Sequence, residues 1–267
     1  MNVVSTPPDP DALLRRLAGK DAVEVPRDWR LTKRAGQTPT VGLTLLPGWA
    51  VWDREPSGAV LPLLPWRCER RFAELKRMVD DRTVEAVSMC RFSCLTDGQS
   101  MDLPAVLYRE FDLAEWLAGS PIAAVTASIQ AQRWANVILR LTSGVVCGVE
   151  AGVTLPAGYA LGAAVLDRHE LIGRRGVACD RLVDSQVPQS SVYTLTAAGT
   201  GQYTDVDAEL FGPGADDVSL VRAAYELLLN PNRADALRVQ HRRLSALVRL
   251  ALESDRQCRR LAAEGGP

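Results

Sequence analysis

The feature that most constrains the fold is a block of predicted strands in the middle of the chain. Residues 134–142 alternate apolar and mixed side chains, and Ser143-Gly144 predicts a turn after them. Other extended runs lie at 84–92, 122–130, 145–155, 167–172, 177–183 and 191–196. The Gly-Arg-Arg-Gly sequence at 173–176 predicts a hairpin between two of these runs.

Helical spacing appears before, inside and after this block of strands. Apolar residues recur every three or four positions at 9–19, 69–80, 111–118, 216–229 and 234–261. Asp9 or Asp11 can cap the first helix, and Gly119 ends the third. Strands gathered between helices predict an α+β domain with a mostly antiparallel sheet, since repeated βαβ units would alternate along the chain.

The stretch before this region has a different character. Six prolines interrupt residues 20–66, which predicts short extended pieces such as 41–46 and 59–64. We therefore predict two parts, a Pro-rich segment at 1–66 packed on the body and an α+β domain at 67–267. The clustered tryptophans of the segment have two interpretations. They pack the segment onto the body, because aromatic rings bury large areas, or they form a platform on which sugars stack. They are Trp29, Trp49, Trp52 and Trp66.

Composition excludes several classes of partner. The 267 residues carry a net charge of −1, whereas nucleic acids and anionic membranes demand a basic surface. The six cysteines are scattered, and residues 1–10 lack an apolar signal region, which predicts reduced thiols in the cytoplasm. The longest uncharged runs contain Pro and Gly and are shorter than a membrane span.

The usual motifs for cofactors and catalysis are missing. Gly199-Thr200-Gly201 has Thr204 where a dinucleotide fingerprint needs its third glycine, so we predict no NAD(P) and no other cofactor. Cysteines and histidines do not cluster at metal-ligand spacing, and we predict neither a metal site nor a catalytic triad. His169, within four successive polar residues, fits either a hydrogen-bonded strand edge or a ligand-binding residue.

An ordered series of four segments resembles the C-terminal domain of the glucose–fructose oxidoreductase and inositol dehydrogenase (Gfo/Idh/MocA) family. Residues 111–119, FDLAEWLAG, are similar to the family's LDLxxWLxG segment, and residues 170–177 resemble its ExxGxxG hairpin. The helix at 71–79 and the strand pair at 135–148 also fit. The resemblance covers about residues 67–263. It implies an open sheet with helices on one face and a neighbouring subunit on the other.

The departures from the family are as informative as the resemblance. In the family a dinucleotide-binding Rossmann domain precedes this region, but here only the Pro-rich segment does, so we predict no Rossmann domain. The family's Glu-Lys-Pro motif has no counterpart. Counting back from Trp116, Arg109 stands at the family's histidine and Ala105 at its aspartate. Arginine is a permanent cation that cannot shuttle a proton but can hold an anion.

The resemblance leaves three functions open. The first is a non-catalytic accessory subunit that pairs with itself or with a full-length oxidoreductase. The second is a cofactor-independent protein or enzyme that binds a sugar or sugar acid. The third is a subunit that completes a partner's active site. The resemblance places the ligand-binding candidates near the family's cleft. They are Tyr108, Arg109, Glu110 and, more weakly, His169. Internal pairing of Arg109 with neighbouring carboxylates is the competing interpretation.

Overall fold

The structure is a computed structural model that describes residues 9–34, 42–96, 98, 101–153, 165–180, 191–204 and 215–263. It divides into two compact units. The N-terminal unit comprises Met1–Glu69 with Val206–Arg242, and the sheet unit comprises Arg70–Asp205 with Arg243–Pro267. This division groups residues 206–242 with the N-terminal segment, whereas the sequence had suggested one boundary after residue 66.

The elements follow one another in chain order as five α-helices and twelve strands among the described residues. The helices are α1 (Pro10–Lys20), α2 (Arg70–Asp80), α3 (Leu103–Ala118), α4 (Ala215–Leu229) and α5 (Arg233–Gln257). The strands are β1 (Trp29–Leu31), β2 (Leu43–Pro47), β3 (Val60–Leu63), β4 (Met89–Thr96), β5 (Ile122–Gln130), β6 (Trp134–Leu141), β7 (Val146–Gly152), β8 (Val165–Gly173), β9 (Gly176–Cys179), β10 (Ser191–Thr196), β11 (Gly199–Thr204) and β12 (Leu261–Ala262). None of the helices in these ranges is long and apolar enough to cross a bilayer.

The N-terminal unit is built on a small parallel sheet. Strands β1, β2 and β3 pair in that order, and both pairs are parallel. Its core joins Leu14 of α1, Leu45 of β2, Leu61 of β3 and Leu220 of α4, all at most 1% exposed. The extended pieces expected in the Pro-rich segment are therefore strands. Helices α1 and α4 both contribute buried apolar side chains to this core.

The sheet unit contains nine strands in the order β11-β10-β9-β8-β4-β7-β6-β5-β12. Strands β4 and β7 pair in parallel, and the other described neighbours pair antiparallel. The prediction of an α+β fold with a mostly antiparallel sheet is confirmed. Helix α3 packs against β4, β5, β6 and β7, while α2 contacts α3, β9 and β10.

Side chains alternate across this sheet. On the inner face, which carries α2 and α3, Phe92 and Leu139 are at most 1% exposed. On the opposite face, called the open face below, Arg91, Asn136 and Glu150 are exposed. Val149, which precedes Glu150 on β7, lies on the inner face at 1% exposure. It is therefore unavailable to a partner that covers the open face, because a strand directs successive side chains to opposite faces.

Helix α3 is longer than the sequence suggested. Its N-cap is Asp102, whose carboxylate accepts a hydrogen bond from the backbone N–H of Ala105. Gly119 ends the helix in the left-handed conformation, as expected. Asp112 lies inside the helix and does not cap it. Residues 108–110, which precede the helix predicted at 111–118, are therefore helical.

Candidate functional site

Six ionisable side chains converge on the inner face of the sheet unit. Three of them are basic and three are acidic, and four separate segments of the chain supply them. They are Arg71 of α2, Arg109 and Glu110 of α3, Asp167 and His169 of β8, and Asp180 after β9. We call this set the buried network, because the side chain of Arg71, at 21%, is its most exposed member.

Asp167 is the acceptor for both arginines. Arg109 donates to its two carboxylate oxygens, from Nη1 to Oδ1 at 3.0 Å and from Nη2 to Oδ2 at 2.7 Å. Arg71 donates from Nη2 to Oδ2 of Asp167 and from Nη1 to Oδ2 of Asp180, the latter at 2.9 Å. The bidentate pair fixes the guanidinium plane of Arg109, since both of its terminal nitrogens are engaged.

His169 lies between two other carboxylates. Its Nδ1 is 2.9 Å from Oδ2 of Asp180, and its Nε2 is 2.9 Å from Oε2 of Glu110. The rings of Phe72 and Phe92 flank the imidazole, with centroids 4.6 and 4.8 Å away. The two aromatic rings exclude water from the imidazole, which is fully buried.

Burial and charge oppose each other in this network, and charge prevails. Burial alone lowers the pKa of His169, but the carboxylates of Glu110, Asp180 and Asp167 outweigh it and raise that pKa to about 9. Burial raises the pKa of Asp167, but the guanidiniums of Arg109 and Arg71 hold it well below 3.8. His169 and Asp167 are therefore both charged at neutral pH, and each lies against groups of the opposite sign.

Three members of this region have the chemistry of metal ligands. Within the described ranges, ligand atoms of Cys94, Glu110 and Asp167 lie within 4.8 Å of one another. Arg109 Nη1 already contacts all three, at 3.5 Å from Sγ, 3.0 Å from Oε1 and 3.0 Å from Oδ1. Burial and the neighbouring carboxylates also raise the pKa of the Cys94 thiol well above 9.0. The guanidinium thus occupies the position that a metal ion would need.

The structure brings together three of the four ligand-binding candidates, Arg109, Glu110 and His169. Tyr108 is fully buried in α3 beside them. Binding of a ligand by these four residues stays a prediction. Arg109 does make the internal pairs that the competing interpretation required, although Asp167 is a partner that the sequence did not suggest.

Sequence reasoning missed Arg71, Asp167 and Asp180 as members of the network. Asp167 carried a usable signal, because it lies two residues before His169 and so shares its face of the strand. Asp180 is eleven residues beyond His169, and Arg71 precedes Asp167 by ninety-six. Their spacing along the chain gives no signal for either contact.

The open face carries a second polar feature, a concavity of about 410 Å³. It is lined by two adjacent rows of outward side chains on β8, β4, β7 and β6. The rows are Glu170, Arg91, Gly148 and Ile138, then Arg168, Ser93, Glu150 and Asn136. Two arginines balance two glutamates here, and Arg91 Nη1 lies 3.2 Å from Oε2 of Glu170.

Comparisons with known proteins give no sequence family. No family model matches the chain. No curated protein matches it either. The structural comparison, in contrast, finds many similar solved structures, and several of them are oxidoreductases.

Three of these structures show the extent of the likeness. Apo levoglucosan dehydrogenase has a TM-score of 0.65 at 11% identity, over 95% of this chain and 87% of its own. A probable dehydrogenase from Thermotoga maritima has a TM-score of 0.59 at 16% identity, over 96% and 90%. An oxidoreductase domain protein from Kribbella flavida has a TM-score of 0.59 at 12% identity, over 83% and 67%.

These identities are too low to transfer activity, but the fold is shared. Two of these structures match 95% and 96% of this chain, which is more than residues 67–263 make up. The likeness therefore also includes residues outside that range. A resemblance restricted to a C-terminal domain and the lack of a Rossmann domain stay predictions. The chain therefore has the α+β fold of solved oxidoreductases, with a buried network of balanced charges on the inner face of its sheet.

Proposed function

We propose that this chain is a non-catalytic, oxidoreductase-like subunit that assembles through the open face of its sheet. The observation that carries the proposal is the bidentate pair of Arg109 with Asp167, at 2.7 and 3.0 Å. Arg109 stands where the resembled family has a histidine, and a guanidinium cannot exchange protons near neutral pH. Its donors are directed to Asp167, Glu110 and Cys94 of the same chain.

The other groups of the network also argue against acid–base work. A general acid or base must reach a substrate atom within hydrogen-bond distance. Glu110, His169 and Asp180 have fully buried side chains and contact one another or the arginines. The network therefore has the character of a structural element that fills the inner face.

Features of the open face support assembly. Met89, Ile138 and Leu195 are 42%, 56% and 47% exposed, although each is a large apolar residue. An open antiparallel sheet is stable in water when its outer face is polar, so these side chains favour a covering partner. The concavity carries equal numbers of arginines and glutamates, and such a patch can pair with itself across a two-fold axis. This pattern favours a second copy over a partner of strong net charge.

Sedimentation of two matched variants tests the assembly. We expect wild-type protein at micromolar concentration to sediment as a dimer or larger species, and Ile138→Glu to shift it toward the monomer. Val239→Glu is the control, because Val239 is 59% exposed on α5 in the N-terminal unit. A wild-type monomer, or dissociation by both variants alike, would contradict assembly through the open face.

Calorimetric titration with NADH and NADPH tests the non-catalytic part separately. We expect no saturable heat at millimolar cofactor, because the sequence lacks the glycine-rich turn that lets backbone approach a pyrophosphate. A micromolar dissociation constant for either cofactor would refute this part. It would leave the assembly untouched, since the two measurements concern different surfaces.

A further inference from the structure

The buried network has a property that its individual contacts do not reveal. Arg71 and Arg109 supply two positive charges, and the carboxylates of Glu110, Asp167 and Asp180 supply three negative ones. The five groups together leave one negative charge on the inner face of the sheet. His169, in contact with Glu110 and Asp180, is the remaining titratable member and alone can balance it.

We propose that His169 is held as an imidazolium at neutral pH, and that its charge neutralises the buried network and clamps the β8–β9 hairpin to α2 and α3. This goes beyond the proposed function, because it assigns His169 a structural charge in place of a ligand-binding or proton-transfer role. It holds whether or not the chain assembles through its open face.

The hydrogen-bond geometry fits a ring that is protonated on both nitrogens. A neutral imidazole has one N–H donor and one acceptor nitrogen, whereas a carboxylate only accepts. Both ring nitrogens of His169 face carboxylate oxygens at 2.9 Å. A neutral ring would therefore place a lone pair against one of the two carboxylates. The imidazolium donates to both and leaves no clash.

Among the described residues, the surroundings of His169 agree with a positive ring. The charged and titratable groups nearby are Glu110 and Arg109 from α3, Arg71 from α2, Asp167 from β8, Asp180 after β9 and Cys94 from β4. The carboxylates are the members in direct contact with the ring, and both arginines are turned onto carboxylates themselves. Asp180 also accepts the backbone N–H of His169 at 2.6 Å, which fixes the strand as well as the ring.

The pKa of His169 agrees with this geometry and gives the proposal a pH range. Because its folded value is about 9 and its ordinary value 6.5, the imidazolium contributes stability that is complete below about pH 6.5. That contribution declines as the pH rises and is gone above about pH 9. The clamp therefore holds at neutral pH and loosens in alkali.

Nuclear magnetic resonance of the wild-type chain tests the proton directly. The chain has only two histidines, and His169→Gln identifies which imidazole resonances belong to which residue. We expect both ring nitrogens of His169 to be protonated at pH 7 and the ring to titrate near pH 9. A ring that is neutral at pH 7 overturns the proposal, and this result does not depend on any variant being stable.

Charge-balanced variants test the clamp. His169→Gln leaves the network with a net negative charge, and we expect its melting temperature at pH 7 to fall by roughly 10 °C. In the double variant Glu110→Gln/His169→Gln the charges balance again, and the two amides can hydrogen-bond each other. We expect the double variant to melt above the single one and to lose the alkaline decline of the wild type.

His241→Gln is the control for the pH dependence. His241 is buried in the N-terminal unit, where its Nε2 lies 3.0 Å from the carbonyl oxygen of Arg54. This variant should keep the alkaline decline whatever its own melting temperature. A double variant that melts no higher than His169→Gln, or an alkaline decline that persists without His169, would overturn the clamp.

Discussion

The two faces of strand β8 carry the same kinds of side chain with opposite consequences. Asp167 and His169 point inward, are at most 9% exposed, and join a closed set of ion pairs. Arg168 and Glu170 alternate with them, point outward and line an open concavity. Nη2 of Arg168 lies 3.6 Å from Oε1 of Glu170. Residue type therefore does not decide which charges form a rigid network. Burial and the number of partners decide it.

Ion pairs on the two faces should contribute differently to stability, because water reaches the open face but not the buried network. Exposed ion pairs contribute only about 0–1 kcal/mol, because water and salt screen them. Removal of one partner from a buried set costs about 3–5 kcal/mol, because it leaves an unpaired charge away from water. Inner-face changes should act on stability, and open-face changes should act on association.

The largest effect is expected at Asp167. Asp167→Ala removes the shared acceptor of Arg71 and Arg109, and should lower the free energy of unfolding by about 3–5 kcal/mol. Thermal and urea unfolding measure it. Glu150→Ala on the open face is the matched control and should change stability by less than about 0.5 kcal/mol. Equal losses from both would erase the distinction between the faces.

Arg109→Met should have a somewhat smaller effect, because methionine keeps part of the packing volume while Arg71 remains paired with Asp167. We expect a loss of about 2–4 kcal/mol in unfolding free energy. Titration with D-glucuronate compares this variant with the wild type. If Arg109 binds anions, the affinity should fall about tenfold with little change in stability, which is the reverse of our expectation.

Acid should lower the stability of the folded chain by protonating Asp167 on the inner face. Its folded pKa is depressed by the two arginines, so its contribution is complete above its ordinary value of 3.8 and is lost as the pH falls below that. The melting temperature of wild type should therefore drop more steeply between pH 4 and pH 2 than that of Asp167→Asn. Parallel acid profiles for the two proteins would contradict the depressed pKa.

The smallest effect on folding is expected at Gly148 on the open face. A Cβ atom added there meets nothing within 4 Å, so Gly148→Leu should leave the melting temperature nearly unchanged. A leucine fills the concavity, and we expect weaker association in sedimentation. Gly152→Leu is the contrasting variant, because its Cβ would lie 2.7 Å from the ring of Trp134 and should destabilise the sheet.

Local signals in the sequence determined much of the fold. The extended runs at 122–130, 134–142 and 191–196, the second of them alternating with period two, located β5, β6 and β10 within a residue of their ends. Asp9 and Gly119 marked helix termini correctly. The sequence was less accurate at β4, which begins at Met89 and not at residue 84, and at α3, which extends back to Leu103. Short apolar runs do not fix boundaries, because tertiary contacts choose among several acceptable ends.

The amino-acid sequence by itself determined which side chains alternate along each strand. It also singled out Arg109, by its place before the FDLAEWLAG segment, and His169, one of two histidines in the chain. Only the tertiary structure decided that Arg71, Asp167 and Asp180 join them, and that Val149 faces inward while Ile138 faces out. The physical reason is that periodicity is a property of neighbouring residues. Charge neutralisation in a buried site depends on segments as far apart as Arg71 and Asp180, which folding brings within 2.9 Å.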